Sequence, residues 1–75
     1  MIPIWQLLGT RRAFGKRLRV ALDGTVVEGV VVHVDRFDPS CEVDSLELRF
    51  DDGRRVHVPG HTPGELVDVD AERTA

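Results

Sequence analysis

The run Thr25-Val26-Val27-Glu28-Gly29-Val30-Val31-Val32-His33-Val34-Asp35 constrains this chain more than any other feature. β-Branched side chains are stiff at χ1 and suit a pleated, packed surface, so the run predicts one long strand. Two signals shape it. Asp23-Gly24, just before it, is a dipeptide that tolerates positive φ at both positions of a tight hairpin turn. Gly29, inside it, marks a place where a strand bends or another backbone comes close. A long strand that turns at a glycine is the central element of a small curled barrel. Valines occupy both of its faces, with Val26, Val30, Val32 and Val34 on one and Val27 and Val31 on the other. A barrel of this size buries one face, so the second predicts a covering helix or a contact between subunits.

The flanking segments fit the same plan. Ile4, Leu7 and Leu8 recur at helical spacing, Pro3 suits a first turn and Gly15 suits a left-handed cap, so residues 3–14 are expected to form a short amphipathic helix. Leu18, Val20 and Leu22 then alternate with Arg17, Arg19 and Ala21 as a half-buried strand. After the long strand, Pro39 places residues 36–42 in a connection, and alternation resumes through Leu46, Leu48 and Phe50 in 43–50. Asp51-Asp52-Gly53 is a second tight turn, leading to a strand over 54–59 through Val56 and Val58. A turn over 60–64 and a last strand over Glu65–Val69 follow, and the polar stretch 70–75 is expected to be a frayed tail. One helix followed by five hairpin-linked strands predicts a mainly β domain, a strongly bent antiparallel small barrel spanning 1–75.

Seventy-five residues lie near the lower size at which one hydrophobic core holds a chain unaided, which favours association with a copy or a partner. Cys41 is the only cysteine, so no intramolecular disulfide can help, and a reducing cytoplasmic setting is the expectation. The apolar patch Met1 to Leu8 is broken by Gln6 and followed by Arg11-Arg12 where a signal peptide needs its apolar core. No run reaches the roughly 20 apolar residues of a membrane span, so no membrane partner is expected. The net charge of −3 hides an asymmetry. Arg11, Arg12, Lys16, Arg17 and Arg19 all precede the first acidic residue, Asp23. The remaining five Lys and Arg face all 13 Asp and Glu, a balance of −8. The basic segment suits nucleic acid, an acidic partner, or the acidic body of a neighbouring copy.

Gly24, Val27, Gly29, Val31 and Asp35 keep the spacing of a first motif of glycine, apolar, glycine, apolar and aspartate, preceded by the alternating strand Leu18, Val20, Leu22. In this the chain resembles the Sm-like family over about half its length, and the same residues suit other small barrels of the SH3 type. The resemblance implies an amino-terminal helix on a five-stranded, strongly bent sheet. It implies much less about ligand binding. Where Sm-like RNA binders place an apolar residue and an asparagine after the aspartate, this chain has Arg36, Phe37, Asp38 and Pro39. Where their second motif has arginine-glycine, Val58-Pro59-Gly60 keeps only the glycine.

No arrangement in the sequence points to catalysis. His33, His57, His61 and Cys41 match no compact zinc spacing and fall on different elements, with His57 expected to face outward between Val56 and Val58. Glu42 beside Cys41 opposes a reactive thiolate. Asp51-Asp52-Gly53 is turn chemistry and not a calcium loop, and there is no phosphate-cradling glycine loop or nucleophile elbow. The expectation is therefore a chain that is not an enzyme, with no metal and no cofactor. It is read first as an interaction or assembly module that self-associates or docks on a protein partner through an exposed strand edge, the Trp5 helix or the second valine face, with Trp5, Leu8, Val27 and Val31 as interface residues. The second reading is an RNA- or DNA-binding barrel using Arg11, Arg12, Lys16, Arg17 and Arg19, with Phe37 stacking on a base.

Overall fold

A computed structural model describes residues 1–67, and the expected tail over 70–75 lies outside the described residues. The chain order is β1 (Ile2–Pro3), α1 (Ile4–Leu8), β2 (Arg17–Leu22), β3 (Thr25–Arg36), β4 (Val43–Arg49), β5 (Arg55–Pro59) and β6 (Pro63–Leu66). These strands form one antiparallel sheet in the order β1-β6-β2-β3-β4-β5, curled into a half-barrel with α1 packed against β4 and β6. The fold is the mainly β, bent small barrel that the long strand predicts. Its core is Ile4 and Leu8 from α1, Ala13, Leu18 and Val20 from β2, Val31, then Val43, Leu46 and Leu48 from β4 and Val58 from β5.

β3 is the element that curls. Residues 25 to 30 pair with β2, from Leu22↔Thr25 to Arg17↔Val30, and residues 30 to 36 pair with β4. The strand passes from one partner to the other at Gly29–Val30. A Cβ on Gly29 would stand 2.8 Å from the Arg49 carbonyl oxygen and 3.2 Å from Phe50 Cδ1, so the end of β4 folds over this position because no side chain is there. The preceding turn has φ of 50° at Asp23 and 78° at Gly24, the two positive values that a two-residue hairpin of matching twist requires.

The pairing of β3 with β4 is interrupted twice. Val31 pairs with Leu48 and His33 with Glu47, leaving Val32 as an extra residue on β3; Asp35 pairs with Ser45 and Arg36 with Val43, leaving Asp44 as an extra residue on β4. The first bulge breaks the even alternation expected of the valines. Val31 and Val27 face inward, but past the bulge it is Val34 that packs on the core, while Val26 on the other face is exposed.

Both ends of the chain depart from expectation. The helix expected over 3–14 is only Ile4–Leu8, because Gly9 takes φ 55° and its N–H closes on the Trp5 carbonyl at 2.9 Å, ending the helix there. Pro3 is instead a strand residue opposite Pro63. Gly15, at φ 86°, does not cap a helix; its N–H donates to the Val31 carbonyl and starts the β2–β3 ladder one step before β2. The last strand among the described residues is Pro63–Leu66, which begins two residues before the expected Glu65–Val69; Val67 lies outside it, and residues 68 and 69 are outside the described residues. Gly64 explains the earlier start. A Cβ there would sit 2.9 Å from Ile4 Cγ2 and 3.0 Å from Val20 Cγ1, so glycine lets β6 lie tight between β1 and β2 over the buried Ile4.

Candidate interaction surface

The cations of the basic segment do not form one cluster. Arg17 and Arg19 alternate on the outer face of β2, directly across from the outer residues of β3 and β6, and each meets carboxylates there. Arg17 donates to Glu28 Oε2 at 3.0 Å and to Asp51 Oδ1 at 3.4 Å; Arg19 donates to Glu28 Oε1 at 3.1 Å and to Glu65 Oε1 at 3.0 Å. The Glu28 hydrogen bond, more than any other contact, raises the Arg17 pKa, and the Glu65 hydrogen bond does the same for Arg19. Arg11 turns back onto α1, where its Nη2 donates to the Leu7 carbonyl at 2.7 Å, satisfying one of the acceptors a helix end leaves open. Only Arg12 and Lys16 of the five make no ion pair or side-chain hydrogen bond among the described residues.

The interface residues expected from sequence also divide. Val31 is fully inside the core, and Leu8 is buried there too, reaching only the floor of a surface groove, so neither is an exposed contact residue. Their burial follows from positions that the sequence pattern left ambiguous: Leu8 is the last inward residue of a shortened helix, and Val31 precedes the β3 bulge. Val27 is half-buried against the core. Trp5 keeps 42 % of its surface exposed, and Phe37 is 92 % exposed. Phe14 is 59 % exposed.

Three grooves join these side chains. One of about 440 Å³ is lined by Leu8, Arg11, Arg12, Phe14, Lys16 and Leu66. The next, about 560 Å³, shares Arg11 and Arg12 with it and continues through Val34, Arg36, Phe37 and Asp38. The third, about 380 Å³, shares Phe37 with the second and ends at Trp5, Glu42, Asp44 and His61. All are shallow surface grooves, as a barrel whose interior is filled by side chains dictates.

Arg36 holds the ground under this band. As the last residue of β3 it points back toward the loops, and its guanidinium donates to the Gly9 carbonyl at 2.9 Å, to the Cys41 carbonyl at 2.7 Å and to the Arg11 carbonyl. One planar fork thus fastens the 9–12 loop to the 37–42 connection. Asp38 shapes that connection: Oδ1 accepts from the Ser40 N–H at 2.8 Å and from the Ser40 hydroxyl, and these bonds hold its carboxyl below the usual range. The sequence signal for Arg36 was available in principle, since an arginine at the end of an inward-facing series needs acceptors. The acids Glu42 and Asp44 flank the inward Val43 and so had to face out.

The histidines and Cys41 stand apart. His33 Nε2 and Asp35 Oδ1 are 3.0 Å apart on the outer face of β3, and Asp35 Oδ2 accepts from Ser45 Oγ at 3.2 Å. His57 is exposed on β5, and His61 lies in the turn before β6. Cys41 is half-buried in the connection. Among the described residues no three His, Cys, Asp or Glu side chains converge to hold a metal ion, and no helix is long and apolar enough to cross a membrane.

Fold and surface together define a small, curled, antiparallel half-barrel with a band of three adjoining grooves, linked by shared lining residues. In comparisons with known proteins, no family model, no curated protein and no solved structure matches the chain.

Proposed function

We propose that this chain is a non-enzymatic interaction module on an Sm-like or SH3-like scaffold, one that self-associates or docks on a protein partner in a reducing, cytoplasmic setting. The observation that carries this reading is the grooved band itself, where Trp5, Phe37 and Phe14 are exposed within adjoining grooves. Exposed aromatics in the grooves of so small a domain are the residue types that anchor protein contacts. The Sm-like resemblance supports the scaffold and is neutral on the ligand. Gly24 is needed for a turn, Gly29 for a close approach, and Val27 and Val31 for inward packing.

A second reading, binding to RNA or DNA, is favoured by Arg11, Arg12, Lys16 and Phe14 lining one groove. It is weakened by the pairing of Arg17 and Arg19 with Glu28, Glu65 and Asp51, which takes two of five cations out of use for phosphate. Light scattering of the purified chain across micromolar concentrations, with and without single-stranded RNA, separates the readings. A mass above one subunit without RNA supports self-association; a strict monomer that gains mass only with RNA supports the second reading. A monomer in both conditions leaves a protein partner as the remaining form of the first.

A further inference from the structure

The grooved band has opposite charge at its two ends. At one end stand Arg12 and Lys16 beside Phe14, at the other Glu42 and Asp44 beside Trp5, with Phe37 between them. These four charges are unspent: none makes an ion pair or a side-chain hydrogen bond among the described residues, whereas Arg17, Arg19, Glu28 and Glu65 neutralise one another within the chain. From this we propose that the band is a self-complementary surface, and that two copies of the chain bind through it with the basic end of each on the acidic end of the other.

Two identical patches related by a two-fold axis that crosses the band at right angles run in opposite directions, so a patch that is basic at one end and acidic at the other meets its complement at both ends, whereas an axis along the band would set like charges together. Phe37, shared by the middle and acidic grooves, then falls near the axis, where two highly exposed rings are withdrawn from water together. The occupant is a second copy because one chain carries both halves of the match. A polyanion is a poorer fit, since Asp38, Glu42 and Asp44 line two of the three grooves it would follow, and like charge repels it over a Debye length of roughly 8 Å. Arg36 supports the same arrangement. By tying the 9–12 loop to the 37–42 connection it fixes the spacing between segments that carry the two ends. This inference rests on the interaction-module reading and names its partner.

A charge-swap experiment tests it. One variant carries Glu42→Lys and Asp44→Lys, the other Arg12→Glu and Lys16→Glu; none of these four side chains has a hydrogen bond to lose among the described residues. Circular dichroism establishes that each is folded, and sedimentation gives the mass of each alone and of an equimolar mixture. The expected result is a wild-type dimer, two monomeric variants, and a one-to-one dimer on mixing. Phe37→Ser, at a position too exposed to affect folding, is expected to weaken wild-type dimerisation by about tenfold or more, as loss of a central aromatic does. If the wild type associates and either reversed variant keeps its mass, or if the folded variants fail to combine, this interface is wrong while self-association through another surface stands. An assembly larger than two that dissolves and re-forms in the same way overturns the two-fold arrangement. A wild-type chain that stays monomeric at all concentrations overturns both this inference and the self-association reading.

Discussion

Replacing Gly29 with alanine adds one carbon, and where that carbon falls decides the sign of the effect. A Cβ at this position stands 2.8 Å from the Arg49 carbonyl oxygen, where ordinary contact begins at 3.4 Å, and 3.2 Å from both Arg49 C and Phe50 Cδ1. Two of these three neighbours are backbone, so relief requires β4 to retreat from β3 just where Val30↔Arg49 opens the β3–β4 ladder. Overpacking of this kind costs about 1–3 kcal/mol. The φ of Gly29 is not positive, so alanine also gains about 0.4–1 kcal/mol by restricting the unfolded chain. The net is a loss of about 1.5 kcal/mol, a fall in Tm of about 6–12 °C for a domain of this size. Gly29→Val should fall further. Thermal and urea unfolding followed by far-UV circular dichroism and by the fluorescence of Trp5, the only tryptophan, measure both variants. Without the close approach only the entropic term remains, and Gly29→Ala melts a few degrees above wild type. That rise would refute the account of how β3 passes from β2 to β4.

Three further outcomes are expected. The His33 hydrogen bond, with a smaller share from Ser45, holds the Asp35 carboxyl below the ordinary aspartate value of about 3.9, so the pair adds stability that is complete above that pH and is lost as pH falls through the lowered value. Melting curves of wild type and Asp35→Asn should therefore converge in acid, and curves that stay parallel down to about pH 2 contradict the linkage. Arg36→Lys keeps the charge but not the fork, and should cost roughly 1–3 kcal/mol with faster amide hydrogen exchange across 9–12 and 37–42; unchanged exchange in both segments shows that the fork does not fasten them. In fluorescence anisotropy, wild type should bind single-stranded RNA no tighter than about 1 μM at physiological ionic strength, since few cations are available against an acidic body. Tighter binding that falls with salt and disappears in Arg12→Glu/Lys16→Glu reverses the ranking of the two functional readings.

The parts of the fold that were legible in the sequence are those set by local chemistry. Asp23-Gly24 specified its turn because few other dipeptides accept two positive φ values, and Asp51-Asp52-Gly53 did so by a different route, with Gly53 alone at positive φ (91°) and Asp52 Oδ1 taking the Arg54 N–H at 2.9 Å. The long strand was legible because eleven residues of mostly β-branched side chains have no better use. What escaped depends on tertiary contacts. Pro3 reads equally well as a first helical residue or as an edge-strand residue, and only the presence of Pro63 across from it selects the second. The bulge at Val32 has no signature among identical valines, so the faces of β3 were assigned correctly before it and incorrectly after it. The surface suffered in the same way. Sequence proximity grouped Arg17 and Arg19 with Arg12 and Lys16, but strand alternation and cross-strand acids separate them. Trp5, Phe37, Glu42 and Asp44 are brought to one groove only by the fold.

Each edge of the sheet ends in a proline: Pro3 closes β1 on one side and Pro59 closes β5 on the other. A proline has no N–H to offer an incoming strand, and the acceptors beside Pro59 are already taken, its own carbonyl by the Thr62 N–H and that of Gly60 by the Trp5 N–H. An open sheet of this kind is ordinarily a template on which further chains add strand by strand into fibrils. Here β1 is two residues long and β5 is a five-residue strand with charged or imidazole side chains at Arg55 and His57 along its exposed face, so neither edge offers a long, flat, apolar row to copy. Strand-by-strand growth is therefore blocked at both edges of the described sheet, which leaves side-chain surfaces as the ground for any contact with another chain.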